Sequence, residues 1–433
     1  MKHVVALLLF FVQAAGAQDT LSLDHFLGVA KKKSPALRMA ANAVRSAEAA
    51  RSELGTGGLP RISGVAGATY APLPPTFGYD AALSNGGQMG VQILLRQSVY
   101  DGGVRSLRDD QSVLDLRRLA LESTLAERDL EFAVRSAFSE VLRTEAVAAL
   151  MRDGLDRLEA YAGLVRRMNR SGVVTYTDVL KVEMQVASAR VAIAGADQDA
   201  AAAKVALSEV AGERIPPGAR IAGSLEDLAA AALAGGDAPE DYIPPVPLDM
   251  KVADVLVAHG EVERDLAARE RLPVVEIKAD AGYLRSLENF HLPVGDRIRG
   301  VGYSISIGVE IPILQWGAIG LRGEQKELAA DDLRQKREIL RRSLAADYRR
   351  TSGGLSTARA QLGILREGSS KAEENFLLTK SMYAGGGALA LEVLAAHQAL
   401  SDSRLAEIQA RATILLLFAR RDRLITHETT LPQ

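Results

Sequence analysis

The placement of proline constrains this chain more than any other feature. No proline occurs between Pro75 and Pro216 or between Pro312 and Pro432, which leaves uninterrupted tracts of 140 and 119 residues. An interior proline removes a backbone donor and costs a helix about 3 kcal/mol, so tracts free of it and rich in Ala, Leu, Arg and Glu permit helices of unusual length. Apolar residues recur at threes, fours and sevens through Val104, Leu107, Leu114, Leu121, Leu125, Phe132 and Val141. The spacing predicts one helix from Val104 to about Asn169, roughly 100 Å long at about 1.5 Å per residue. A helix of that length does not fit inside an ordinary globular domain.

Between the tracts the period changes from helical to two. Odd positions from Val301 to Ile311 are apolar (Val301, Tyr303, Ile305, Ile307, Val309, Ile311), and the even ones are Gly302, Ser304, Ser306, Gly308 and Glu310. The same alternation runs through Met89 to Val99, with Leu94 the exception, and through Val275 to Tyr283; Arg61 to Tyr70 is a fourth, weaker strand. Each is about ten residues, the length of a tilted membrane-spanning β-strand, although an amphipathic sheet on a soluble core gives the same pattern. At the front of the chain, Met1-Lys2-His3, the apolar run Val4 to Val12 and the small residues Ala15-Gly16-Ala17 read as a signal peptide over residues 1–17. No later apolar run approaches the 18 to 20 residues of a spanning helix. The chain therefore reads as a soluble periplasmic protein, a secreted one or a β-barrel. It has no cysteine, which excludes a disulfide scaffold, a thiolate metal site and an acylated N-terminal cysteine. Its 52 basic and 54 acidic residues argue against a nucleic-acid binder.

The two halves repeat. Leu59-Pro60 followed by Tyr70 matches Leu272-Pro273 followed by Tyr283, an offset of 213. Val99-Tyr100-Asp101-Gly102-Gly103 matches Ile313-Leu314-Gln315-Trp316-Gly317 at 214, as do Gly172 and Gly386, Asp178-Val179-Leu180 and Glu392-Val393-Leu394, and Arg190 and Arg404. Each repeat reads helix, Leu-Pro, strand, polar loop, strand, glycine turn, very long helix, glycine turn, helix. The expected organisation is a first repeat over 18–211 with strands near 61–70 and 89–99, a proline-rich linker over 212–247, a second repeat over 248–420 with strands near 275–283 and 301–311, and a polar tail over 421–433. Gly102, Gly103 and Gly317 mark strand–helix junctions, and Gly172 and Gly386 mark points where a long helix reverses.

Ser34-Pro35-Ala36-Leu37 opening a helix, Leu-Pro entering a strand, the strand exit Val-Tyr-Asp-x-Gly, and Arg167 to Leu180 read as Arg-x4-Gly-x5-Asp-Val-Leu, all duplicated, resemble the TolC-type outer-membrane efflux protein family. The resemblance covers essentially the whole mature chain. It implies a mostly α fold with a β-barrel part: a homotrimer whose four strands per chain make a twelve-stranded outer-membrane barrel, continued by a periplasmic α-helical barrel. The sequence independently explains the oligomer, because four strands leave two open edges and lipid tolerates no unpaired backbone. Ile305, Ile307 and Val309 would then face lipid, and Ser304, Ser306 and Glu310 a water-filled lumen. The loops 72–88 and 284–300 would be extracellular. The protein would sit in the outer membrane of a Gram-negative bacterium and extend into the periplasm.

The resemblance also implies partners and a gate. Helix-reversal tips of the family meet the hairpin of a periplasmic adaptor, here at Ser171, Gly172 and Val173 and at Gly385, Gly386 and Gly387. Asp178, Tyr383 and Glu392 occupy positions matching a periplasmic gate, where threefold symmetry would set three Glu392 carboxylates facing one another and favour cations. Ala388 and Ala395 stand where some members carry an arginine and a second acid, so charge pairs across such a gate are fewer here. The implied function is a passive exit duct of a tripartite efflux or type I secretion system, fed by an inner-membrane pump or ABC transporter through the adaptor. No nucleotide loop, nucleophile elbow or His-Glu-x-x-His spacing occurs, so the chain reads as neither an enzyme nor a cofactor or metal protein, and energy comes from elsewhere. A periplasmic coiled-coil scaffold or binding protein without channel activity is the competing reading, and an exported hydrolase is disfavoured.

Overall fold

A computed structural model describes residues 21–72, 85–216, 219, 221–234, 247–286 and 299–425. The signal peptide and most of the two strand-connecting loops lie outside these residues. The elements are α1 (Leu23–Lys33), α2 (Pro35–Thr56), β1 (Arg61–Pro72), β2 (Asn85–Tyr100), α3 (Val104–Arg170), α4 (Tyr176–Ala211), α5 (Leu225–Ala234), α6 (Leu248–Arg269), β3 (Val274–Ser286), β4 (Arg299–Glu310), α7 (Ala318–Ala384) and α8 (Ala390–Ile425). The fold is mostly helical with one four-stranded sheet, as the two periods predict. Helices α3 and α7 each run 67 residues without interruption. The chain divides into two compact units, one formed by residues 40–123 and 249–341 and the other by 1–39, 124–248 and 342–433.

The first unit holds the sheet, an antiparallel meander in the order β1-β2-β3-β4. Its register aligns the alternation of all four strands. Residues directly opposite one another share a face, and the rows Ile62–Leu95–Ala279–Ile305 and Ala66–Val91–Tyr283–Val301 are apolar throughout. The rows of the other face read Arg61–Arg96–Lys278–Ser306 and Ser63–Leu94–Asp280–Ser304, polar but for Leu94. On that face Ser304 donates to Asp280, and Lys278 pairs with Glu276 at 3.4 Å. The apolar face is bare: Val301, Tyr303, Ile305 and Ile307 are each more than two-thirds exposed. The pairing slips between Ser98 and Tyr100, so Tyr100 and not Val99 pairs with Val275 on the apolar side. A bulge of this kind bends a strand at the end of its ladder.

Helices α2 and α6 and the first turns of α3 and α7 complete this unit. Helix α6 lies against α7 along exposed ion pairs, Glu270–Arg322 at 2.6 Å, Glu263–Lys326 at 2.8 Å, Glu261–Arg334 at 2.7 Å and Asp254–Arg337. Each exposed pair contributes little by itself. Close approach comes from small residues: a Cβ on Gly260 would lie 2.6 Å from the Leu333 side chain, and Ala330 beside it is buried.

The second unit is built of helix hairpins. Phe26 and Ala30 of α1 enter a core with Phe138, Val141 and Leu207, and the Phe26 and Phe138 rings meet at a tilt of 58° with centroids 6.1 Å apart. The duplication extends to side-chain contacts. Arg190 reaches Glu159 at 2.8 Å and Arg404 reaches Glu373 at 3.0 Å, the same pair at an offset of 214 in both members. Helix α5 lies inside the segment read as a linker. Ser224 caps it, accepting from the Asp227 N–H at 3.0 Å, and Leu225, Ala229 and Ala232 form its buried stripe. Helix α8 continues to Ile425, into the segment read as a polar tail. Arg423 holds that end, paired with Asp129 at 2.9 Å and lying 5.3 Å over the Phe132 ring.

Candidate functional site

Both helix reversals end in the same hydrogen-bonded motif. The Val173 N–H donates to the Met168 carbonyl and the Gly172 N–H to the Asn169 carbonyl, both at 2.9 Å. At the second reversal the Gly387 N–H donates to the Met382 carbonyl at 2.8 Å and the Gly386 N–H to the Tyr383 carbonyl at 3.0 Å. This is the Schellman ending, which needs a left-handed residue just past the helix. Gly172 (φ 76°) and Gly386 (φ 80°) supply it. Ser171 folds its hydroxyl back onto the Arg167 and Met168 carbonyls, and Gly385 bonds the Ser381 and Met382 carbonyls. Around the turns Val173, Tyr176, Leu389 and Leu391 are all more than 60% exposed.

One apolar cluster joins the two tips. Tyr161 and Val165 of α3, Val179 and Val182 of α4, Phe376 and Tyr383 of α7, and Ala390 and Val393 of α8 are buried against one another. The Tyr161 ring meets Tyr383 edge-on at 5.3 Å, and its hydroxyl donates to the Ala390 carbonyl at 3.4 Å. Burial pushes both phenols above their ordinary pKa, so both are neutral. Beside the cluster, His397 is 5% exposed and its Nε2 lies 3.1 Å from the Gly154 carbonyl, with Phe376 edge-on at 5.6 Å. Burial holds this imidazole below its ordinary pKa.

The three gate candidates are treated unequally. Half-buried Asp178 and exposed Glu392 lie at the starts of α4 and α8, each bonded to the residue that caps its helix. The Asp178 N–H donates to Thr175 Oγ1 at 3.3 Å and Thr175 Oγ1 donates back to the Asp178 carboxylate at 2.8 Å. Glu392 Oε2 accepts the Leu389 N–H at 2.8 Å. Each repeat holds one half of a capping box: the Thr175 hydroxyl accepts the Asp178 N–H in the first, and the Glu392 carboxylate accepts the Leu389 N–H in the second. Tyr383 is only 3% exposed, and its buried hydroxyl has no hydrogen-bond partner among the described residues. Pattern reading gave the caps no role, though Thr-x-x-Asp ahead of an apolar run signals one. It missed Tyr161 altogether, because nothing local marks a tyrosine whose partners lie more than 200 residues away.

At the strand–helix junctions Gly102 (φ 69°), Gly103 (φ 81°) and Gly317 (φ 80°) all take left-handed backbone. Asp101 ties the first junction, accepting the Gly103 N–H at 3.0 Å and the Arg105 N–H at 2.9 Å. Trp316 matches Gly102 in the repeat and holds φ 49° with a side chain present, a conformation costly outside glycine. Its indole is 88% exposed.

Among the described residues no group of three or more His, Asp or Glu side chains is placed to hold a metal ion, and no helix is long and apolar enough to cross a membrane. Among curated proteins none matches the chain by sequence. Solved structures do match by fold. The outer membrane protein VceC of Vibrio cholerae superposes with a TM-score of 0.76 at 16% identity, covering 93% of this chain and 95% of that one. The CmeC outer membrane channel of Campylobacter jejuni gives 0.75 at 12% identity over 93% and 85%. The open state of the MtrE outer membrane channel of Neisseria gonorrhoeae gives 0.71 at 15% identity over 93% and 88%. The sequence profile of outer membrane efflux proteins matches residues 26–213 and 248–417. With both repeats matched and the same fold in each comparison, the chain belongs to the outer membrane efflux protein family.

Proposed function

We propose that the protein is the passive exit duct of a tripartite efflux or type I secretion system, a homotrimer crossing the outer membrane and extending into the periplasm. An inner-membrane pump or ABC transporter delivers cargo to it through a periplasmic adaptor. The observation that carries this reading is the sheet: four strands in register present one continuous apolar face, and β1 and β4 leave both edges open. A lone four-stranded sheet in lipid leaves two rows of backbone groups unpaired, and three copies close them into twelve strands. The soluble scaffold reading gives that bare apolar face nothing to do.

The exposed apolar residues around the two Schellman turns favour the tips, Ser171 to Val173 and Gly385 to Gly387, as the adaptor-docking ends. Asp178 and Glu392 then ring the periplasmic mouth, and Tyr383, buried on Tyr161, braces the wall behind them. The test is membrane fractionation followed by planar-bilayer recording of the purified oligomer. Recovery with the outer membrane and stable conductance are expected. Recovery in the soluble periplasmic fraction, with no conductance, overturns the reading.

A further inference from the structure

We infer that Arg61, Arg96 and Lys278 form an anion-engaging strip on the inner wall of the barrel, which holds the phosphate or carboxylate groups of solutes passing through. The inference rests on the duct reading, and it deepens that reading by naming a class of solute. The three residues stand side by side on neighbouring strands. Arg61 is directly opposite Arg96 and Arg96 directly opposite Lys278, with Ser306 completing the row. Side chains so placed have Cβ atoms about 5 Å apart, and like charges there repel one another. All three are exposed. Lys278 has the Glu276 carboxylate at 3.4 Å, whereas Arg61 and Arg96 have no carboxylate partner among the described residues. Other arginines of the same unit are treated differently: Arg322, Arg334 and Arg337 of α7 each meet an acid of α6.

Charge is divided between the two hairpins. Among the described residues of the polar face, β1 and β2 hold Arg61 and Arg96 and no acid, while β3 and β4 hold Glu276, Asp280 and Glu310. These acids do not cancel the row at contact distance. Glu276 and Asp280 stand two residues either side of Lys278, about 7 Å along β3, and two strand spacings put them about 12 Å from Arg61. That exceeds the screening length of about 8 Å at physiological salt. Asp280 is also engaged already, by the Ser304 hydroxyl. An oxyanion seated between the two guanidinium groups instead makes charge-assisted hydrogen bonds at contact.

The place of the row selects the source of the anion. It lies on the face opposite the bare apolar one, so lipid headgroups do not reach it and dissolved solutes do. Arg61 opens β1 and Arg96 lies just before the end of β2, where the strands give way to the long helices. On the duct reading this is the periplasmic end of the barrel, which a solute on its way out enters first.

The probe is inorganic tripolyphosphate, and the readout is single-channel current through the purified oligomer in a planar bilayer. Block is expected at about 0.1 M salt and should weaken at least about tenfold at about 1 M, where the screening length falls from about 10 to about 3 Å. Arg61→Gln with Arg96→Gln should raise the half-blocking concentration at least about fivefold and the cation-over-anion permeability ratio at least about twofold. Arg96→Gln alone should move both readouts the same way by a smaller factor. Arg61→Lys with Arg96→Lys keeps the charges and should stay within about twofold of the unaltered protein on both. Absence of block in the unaltered conducting protein, or unaltered block and ratio in the glutamine variants, overturns the inference. So does an equal change in the lysine variant, because charge is then not what acts. An unaltered protein that forms no conducting oligomer overturns the duct reading instead.

Discussion

Gly102 and Gly103 are adjacent and share a backbone conformation, yet their tolerance of a side chain differs. A Cβ on Gly103 would meet nothing within 4 Å, whereas one on Gly102 would lie 2.8 Å from Leu272. Gly103→Ala should therefore cost only the left-handed backbone term, about 1–2 kcal/mol. Gly102→Ala adds a steric cost, and thermal melting of the two variants should rank them in that order. A second residue-level consequence concerns His397. Burial lowers its pKa, and it faces the Gly154 carbonyl, Arg157 and Asp153 of α3. As pH falls through the ordinary histidine value of about 6.5 the unfolded chain takes up the proton first, so stability is full above that value and declines below it. His397→Gln, whose amide can donate to the same carbonyl without titrating, should flatten the melting temperature between about pH 7.5 and 5.5. An unchanged slope would assign the pH dependence to other groups.

Helix α5 shows which elements a pattern conceals. Its residues 225–234 sit among prolines that mark a linker, yet Ser224-x-x-Asp227 supplies a cap and Leu225, Ala229 and Ala232 a stripe. Glu226 of this helix accepts from Arg411 at 2.9 Å, which ties α5 to α8. Ser224→Ala should cost about 1 kcal/mol and raise amide exchange in residues 225–234 before any other helix of its unit. The long helices and the four strands were legible because each is a run of one period, and the repeat offsets located both tips. The bulge at Val99 was not legible, since alternation continues across it and only the pairing partner reveals the slip. Nor was the burial of Tyr383, which depends on Tyr161 arriving from another helix. Asp178 and Glu392 were legible as matched acids, but their capping roles depend on the residue three positions earlier, Thr175 in one repeat and Leu389 in the other.

That difference in caps decides how the whole assembly can be tested at its periplasmic mouth. A carboxylate that only caps a helix and one that also lines a channel respond alike to disruption of the fold, but differently to loss of charge. Glu392→Gln keeps an oxygen for the Leu389 N–H and removes the charge, so the α8 start should survive. In the proposed trimer the substitution removes three negative charges, one from each copy, from the periplasmic mouth. The cation-over-anion permeability ratio, read from reversal potentials across a salt gradient, should then fall by at least about twofold, with single-channel conductance in high salt little changed because screening there shortens the reach of the ring. Asp178→Asn should act in the same direction. It should act more weakly, because the Lys181 ammonium 3.6 Å away already offsets part of the Asp178 charge. Unchanged selectivity in both variants, with conductance intact, would leave the duct reading standing and reduce these two acids to helix caps.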